Sequence, residues 1–535
     1  MEVSNRKQEF IEKYVEYVKT HNKEPSLADI NRVFGITRDQ IRHYYGNITN
    51  LREQVREECG DEISKYILNE KTIFSKIKTE KLSEDLQKYN RFIITTAVSG
   101  KKLNVDFYNS IKKYCEVFSA KLIIIPCQDA ANRNSGVEYS FPVELENESF
   151  VYQDTKINDN LFISSIRLSA KHIKPITGLQ RIGQRNGSYI FASPKQFLEY
   201  VVCDLEKDSI PNAIMTTGAI TVNDYDDDRY MSDRTSYIAE NDHVYGAVVV
   251  ERVDDKYFHF RQIQADLDGS FIDLGMKISE KEIETVDTSI VLGDLHCGEH
   301  DEDVLATTLQ MLFDLSIENV FIHDMFSGYS ISHYDSNSPH KLALKSINKS
   351  NKFMEEVEKG ANILKLLMNK ISGKIYRVKG NHDEWFERYL ERAGYITDPT
   401  NHYDALEYAR YFLEGKDPLK EAYSKFFTVD EFKNIVFLDR DQSYRIGGVE
   451  LGQHGDLGLN GSKGGLVGSE KAYGDCVIGH NHSAAIHRTV YRVGTMTKKR
   501  LGYNKGPSNW THTHCLVYNN GSRQLINIIN GTWRI

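Results

Sequence analysis

Four short apolar runs, each closed by glycine or a polar residue, frame the C-terminal half of the chain: Thr288–Leu292, Asn319–Ile322, Lys374–Val378 and Cys476–Ile478. Runs this short and this sharply bounded predict strands buried on both faces of a sheet. Between the first three lie stretches with apolar residues at helical spacing, Asp303–Leu315 and Phe353–Ile371. Strand and helix in alternation predict β-α-β units. A further unit is predicted upstream, with strands at Arg91–Ala97 and Ala120–Pro126 around a helix at Asp106–Phe118. The pattern then changes to His243–Val253, Tyr257–Ile263 and Ser270–Leu274, joined by the turns Asp254-Asp255 and Asp268-Gly269. That is a hairpin meander.

The first sixty residues read as short helices. Arg6–His21 carries Phe10, Tyr14, Val15 and Val18 on one face. Ser26 caps a second helix, with Leu27, Ile30 and Val33-Phe34 on its apolar side and Gly35 at its end. Thr37 caps a third, Arg38–Tyr45, stopped by Gly46. Two short helices across a glycine turn resemble a helix-turn-helix, in which Arg38, Gln40, Arg42 and His43 face DNA. The same pattern also reads as a small helical bundle for oligomer contact. The expected organisation is therefore a DNA-binding module at 1–70, a middle α/β domain of unassigned role at 75–285 and an α/β catalytic domain at 286–535. No internal repeat interrupts it. The acidic run Asp224–Asp228 reads as a solvated loop.

Chemistry gathers just past the ends of the four C-terminal strands. Five pieces stand out: Asp294-Leu295-His296, His323-Asp324, Gly380-Asn381-His382-Asp383, His454-Gly455-Asp456 and Gly479-His480-Asn481-His482. Any one of them is a common turn or a satisfied core histidine. Together they supply carboxylates, an amide and imidazoles for two divalent ions, which need one shared carboxylate and further oxygen or nitrogen ligands. Ligands just past strand ends are expected to converge at one rim of a sheet.

The ordered set resembles the calcineurin-like metallophosphoesterase superfamily over roughly residues 288–535. The resemblance implies a four-layer sandwich. It implies that Asp294, His296, Asp324 and His482 hold a first metal, and that Asp324, Asn381, His454 and His480 hold a second. Asp324 would bridge, and His382 would act on substrate as proton donor or charge stabiliser. The protein phosphatase branch carries Asp-Arg-Gly after its second motif, where this chain has Met325-Phe326, and its third motif ends in Glu rather than Asp383. The tyrosine ligand of purple acid phosphatases is also missing. The remaining branch holds DNA nucleases of the SbcD type. With its N-terminal helices, the whole chain is similar to the early host-DNA-degrading nucleases of large tailed phages. That implies phosphodiester hydrolysis in DNA, in the host cytoplasm. Two other classes stay open, a small-molecule or cyclic-nucleotide phosphodiesterase and a DNA-binding regulator with an inert esterase domain.

Two departures from the family pattern matter. Histidine, not glycine, precedes the bridging position; His323 is either an orienting partner or packing. Ser327 stands where relatives orient the motif-three histidine, which leaves Asp383, His333 or His340 as partner of His382. The stretch Gly455–Gly468, with Lys463, reads either as a phosphate-contacting loop or as a flexible one. Trp385 and Phe386 read either as a stacking platform for a base or as core.

Composition changes this picture little. At 535 residues the chain has room for about three domains of the usual size. A net charge of −9 argues against a large basic footprint, although bound ions and a local patch would offset it. Seven scattered cysteines without a C-x-x-C pair predict reduced thiols, with Cys297 as buried filler. No apolar run approaches the roughly 20 residues that cross a bilayer. A ligand set mixing carboxylate, amide and imidazole suits Mn²⁺, Fe²⁺ or Zn²⁺ better than Mg²⁺. Mn²⁺ is expected from the resemblance, as is a homo-oligomer bound to DNA.

Overall fold

The computed structural model describes residues 2–21, scattered positions from 25 to 59 that include helix Arg38–Tyr45, and residues 86–129, 139–202, 210–225, 234–501 and 504–535. The helix expected after Ser26, the side chains of Arg38 and Arg42, and Asp226–Asp228 lie outside the described residues. Helices Glu2–His21 and Arg38–Tyr45 form where expected. Phe10, Tyr14, Val15 and Val18 pack with Ile30, Ile41 and Tyr45 in a small core of their own. Gln40 and His43 are exposed on the third helix.

The rest is mixed α/β. The upstream unit forms as a parallel pair, Arg91–Val98 beside Lys121–Cys127, joined by helix Val105–Phe118. Asn104 caps that helix by accepting from the Phe107 amide. The hairpin Gly246–Arg252 and Phe258–Gln264 completes the same sheet against Arg91–Val98.

The C-terminal region is built on a six-stranded sheet. Its order is Ile435–Leu438, Ile375–Val378, Val320–His323, Thr288–Val291, Thr513–Tyr518 and Arg523–Asn527. The first four strands are parallel, joined by β-α-β connections. Alternation along each strand sorts side chains to two cores. Ile290, Leu292, Val320 and Ile322 pack against Val304, Leu305 and Leu312 of helix Glu302–Asp314 and against Val357 and Leu364 of helix Phe353–Met368. Asp301 starts the first of these helices by accepting from the Asp303 and Val304 amides. Val291, Phe321 and Val378 point the other way, into a core shared with Leu451, Val477 and Val493.

That second core belongs to a different sheet. Cys476–Ile478 does not join the first three predicted strands; it pairs with Val490–Arg492 in a ten-stranded sheet. This corrects the expectation of a single rim. The same sheet contains Thr155–Asn158, Leu161–Ile163, Ser188–Phe191, Phe197–Val201 and Asn212–Thr216, with Phe197–Val201 lying antiparallel to Ala485–His487. The boundary drawn at 285/286 is therefore crossed by hydrogen-bonded strands. No helix among the described residues is long and apolar enough to cross a membrane.

Candidate metal centre

The ligand-bearing loops leave their strands under steric constraint. Gly380 and Gly479 precede ligands, and a Cβ on either would meet a carboxylate, Oδ1 of Asp324 and Oδ1 of Asp294 respectively. Only glycine lets the backbone come this close to the carboxylate. The residues themselves are strained. His296, Asp324, His480 and His482 sit at φ of 43°, 41°, 75° and 59°. Left-handed conformations in residues that bear a Cβ each carry a cost, and such strain concentrates at functional sites.

These turns bring the expected ligands together. Nε2 of His482 lies 3.2 Å from Asp294 Oδ2 and 3.1 Å from His296 Nε2. His296 Nε2 lies 3.8 Å from Asp324 Oδ2. On the other side of Asp324, His454 Nε2 is 3.1 Å from the same Oδ2 and 3.2 Å from Asn381 Oδ1. His480 Nδ1 reaches that amide oxygen at 3.0 Å. All seven expected ligands are thus linked, with Asp324 between the two halves. Two backbone amides aim the carboxylates, His382 N onto Asp324 Oδ1 at 3.1 Å and His480 N onto Asp294 Oδ2 at 2.8 Å.

The donor set fits a cation. Asp294, His296, Asp324 and His454 are nearly or fully buried, and no lysine or arginine pairs with either carboxylate among the described residues. Asp294 Oδ1 and His482 Nδ1 are buried without a hydrogen-bond partner. Two Nε2 atoms face each other at 3.1 Å, where only one proton fits. Three overlapping groups have ligand atoms within 4.8 Å of one another: Asp294, His296 and His482; Asp294, Asp324 and His454; His296, Asp324 and His382. These buried groups can hold a metal ion.

Electrostatics follow from burial. Burial alone would raise the carboxyls of Asp294 and Asp324, but the charge they induce on His454 holds both well below the ordinary range. Burial lowers His454 too; the two carboxylates overcome it and push the imidazole up to about 9. Burial keeps His296 and His480 low, and takes His323 down to about 4. Without an ion, then, a proton on His454 is the counter-charge, and metal binding must displace it.

His382 is oriented by an unexpected partner. Its Nδ1 donates to the Ser327 carbonyl at 2.7 Å. None of the three expected side chains does this. Asp383 instead clamps two loops, accepting from Phe326 N and Gly380 N at 3.0 Å each. His333 packs edge-on to Trp385, and His340 is exposed. Trp385 stacks on His382 at 4.1 Å, whereas Phe386 is core, against Phe353 and Tyr408. His323 Nδ1 lies 3.4 Å from His454 Nδ1, so it is a partner of the ligand as well as packed.

Lys463 is exposed and bridged to Leu457. The loop that carries it is anchored at its start, where Arg440 grips both oxygens of Asp456 at 2.6 and 3.0 Å. Cys297 is buried filler, its thiol raised by burial. Sequence reasoning missed the Ser327 carbonyl, the Arg440–Asp456 pair and the ring of Trp510, 4.3 Å from His482. The glycines before Asp294, Asn381 and His480 were the available signal for close backbone approach.

No family model matches the chain, and no solved structure matches it significantly. The chain is similar to Protein A1 of Escherichia phage T5, with 27% identity over 478 residues that cover 84% of this chain and 83% of that protein. The relationship is to a phage protein, along most of both chains.

Proposed function

We propose that the chain is a metal-dependent DNA nuclease that hydrolyses phosphodiester bonds at a centre for two divalent ions, Mn²⁺ by preference. The observation that carries this reading is the overlap of the ligand groups. Asp294, His296 and Asp324 each belong to two of the three. Overlap of that kind is what a pair of ions with a shared carboxylate requires. The motif order that resembles calcineurin-like metallophosphoesterases supports the same reading. So does a core shared by two sheets with helices on the outer face of one, as a four-layer sandwich would have. The phage relative and the N-terminal helices favour DNA as substrate, with degradation of host DNA as the role.

Asp294, His296, Asp324 and His482 would hold one ion, and Asp324, Asn381, His454 and His480 the other. Bound ions supply charge neutralisation at the phosphate and a water acidic enough to react near neutral pH. The chain's own residues do the rest. A carbonyl can only accept, so the Ser327 carbonyl fixes the proton of neutral His382 on Nδ1. Nε2 is then the nitrogen that would take up a proton from solvent, to which His382 is partly exposed, and pass it to the leaving oxygen. Trp385, stacked on the ring, limits its rotation.

The test is incubation with closed circular and linear DNA, with Mn²⁺ or with chelator. Metal-dependent loss of either substrate supports the nuclease reading, and cleavage of closed circles adds endonuclease action. Turnover of a nitrophenyl phosphodiester with both DNA forms intact would replace it with a small-molecule phosphodiesterase. Inertness towards all three would leave the DNA-binding regulator.

A further inference from the structure

A cavity of about 1310 Å³ opens where the middle region meets the C-terminal one. Arg185 and Lys256 line it from the middle region, and Lys498, Lys499 and Arg500 from the loop that follows the metal motifs. Against these five cations stand two carboxylates among the described residues, Asp301 and Asp303. Asp301 is engaged as a helix cap. A local excess of positive charge in a chain of net charge −9 calls for an anionic ligand. Thr511 also lines the cavity, and its amide donates to the His482 carbonyl at 3.0 Å, so the cavity backs directly onto a metal ligand.

Small-molecule pockets run to about 300–1,000 Å³ and are mostly apolar. This one is larger, and cations and the amides of Asn160, Asn186 and Asn527 share its lining with apolar residues such as Phe258 and Ile528. Tyr257 offers a partly exposed ring there. Taken as a sphere, the cavity would be about 14 Å across, less than the roughly 16 Å that the major- and minor-groove depths of a duplex alone add up to. We infer that the cavity is a binding channel for a single DNA strand, with Arg185 and Lys256 contacting its phosphates. This rests on the nuclease reading and gives the middle region a role in holding substrate.

The experiment measures binding of the full chain to a fluorescein-labelled single-stranded oligonucleotide, in chelator, across a salt series. Each lost phosphate contact removes about 0.7 from the slope of log affinity against log salt for single strands. Arg185→Gln with Lys256→Gln should therefore weaken binding and flatten the slope by about 1.4. The charge-conserving pair Arg185→Lys and Lys256→Arg should keep the parent slope. An unchanged slope in the glutamine pair overturns the inference. So does an equal loss in the charge-conserving pair, which would mark a structural defect, or a loss confined to duplex DNA. The unaltered chain with Mn²⁺ and closed circular or linear DNA tests the chemistry separately. No turnover there with a flattened slope would sink the nuclease reading and keep the channel, and turnover with an unchanged slope would do the reverse.

Discussion

The buried charges around Arg261 close on themselves, whereas those around Asp294 and Asp324 do not. Arg261 donates to both oxygens of Asp273 at 2.5 and 2.7 Å and to Glu251 at 3.0 Å. Arg91 adds a second cation to Glu251 at 3.0 Å. Tyr114 and Gln524 take up lone pairs left on Asp273, at 2.9 and 3.0 Å. Two guanidiniums thus balance two carboxylates, with neutral donors filling in. At the candidate metal centre the two carboxylates face only imidazoles and amides among the described residues. Both clusters bear the cost of burying charge. One is completed by the chain and joins the hairpin to the strands beside it. The other has only a proton on His454 as counter-charge and leaves room for a cation from outside.

The strongest break of this contrast removes the shared carboxylate. Asp324→Asn keeps the shape and deletes the charge on which both halves of the site depend. Metal content should fall below two ions per chain and turnover to background, with little change in the unfolding midpoint measured in chelator. Two tightly held ions in this variant would show that another residue bridges.

Removing His382 tests the other side of the site. Its ring lies 4.5 Å from that of His296, and it belongs to one of the three ligand groups. Because Nδ1 is committed to Ser327, His382→Ala should keep both ions yet lose about 10²–10⁴ in single-turnover rate. Metal analysis on the same preparation decides: loss of an ion would make His382 a ligand.

At the closed cluster the expected loss is stability, not metal. Arg261→Met strands two buried carboxylates and should cost about 3–5 kcal/mol in denaturant unfolding, with metal content per folded chain unchanged. The pH dependence has a definite sign. Burial would raise Asp273 and Glu251, but Arg261 holds both below their ordinary values. Carboxyls depressed in the folded state stabilise it fully above their unfolded pKa, about 4, and this stability is lost as pH falls through the lower folded values. Thermal melts of the parent should therefore fall below about pH 4, with proton uptake on unfolding. A melting profile flat down to pH 2 would remove these carboxylates from the stability argument.

How much of this was legible in the sequence depends on range. Strands Thr288–Val291, Val320–His323 and Ile375–Val378 carry their own signal, apolar residues bounded by glycine and polar ones. Sheet membership does not. Cys476–Ile478 looks like the other three, yet its partner is Val490–Arg492, and the strands between 155 and 216 that extend its sheet are too short for a periodic pattern. Helix Pro418–Ser424 had a start signal, Asp417 before Pro418, that went unread. At the site, the residues that come together were legible because their chemistry lives in side chains. The Ser327 carbonyl that orients His382 was not, since every residue carries one.

The smallest expected effect concerns His323, which belongs to neither cluster's charges but decides how one ligand presents itself. For His454 to offer Nε2 as a lone pair, its proton must sit on Nδ1. That nitrogen faces His323 Nδ1 at 3.4 Å, which can then accept it. His323 is fully buried and its Nε2 has no partner among the described residues, so packing alone would be served by any flat ring. His323→Phe keeps the ring and removes the acceptor. Partners of this kind typically contribute 10–100-fold in metal affinity. The variant should need correspondingly more Mn²⁺ for half-maximal activity, recover much of its turnover at saturating metal, and melt like the parent in chelator. His323→Gln, which restores an acceptor oxygen, should recover part of the affinity. Unchanged Mn²⁺ affinity in the phenylalanine variant would reduce His323 to a packing residue and leave the tautomer of His454 to be set by Asp324 and Asn381.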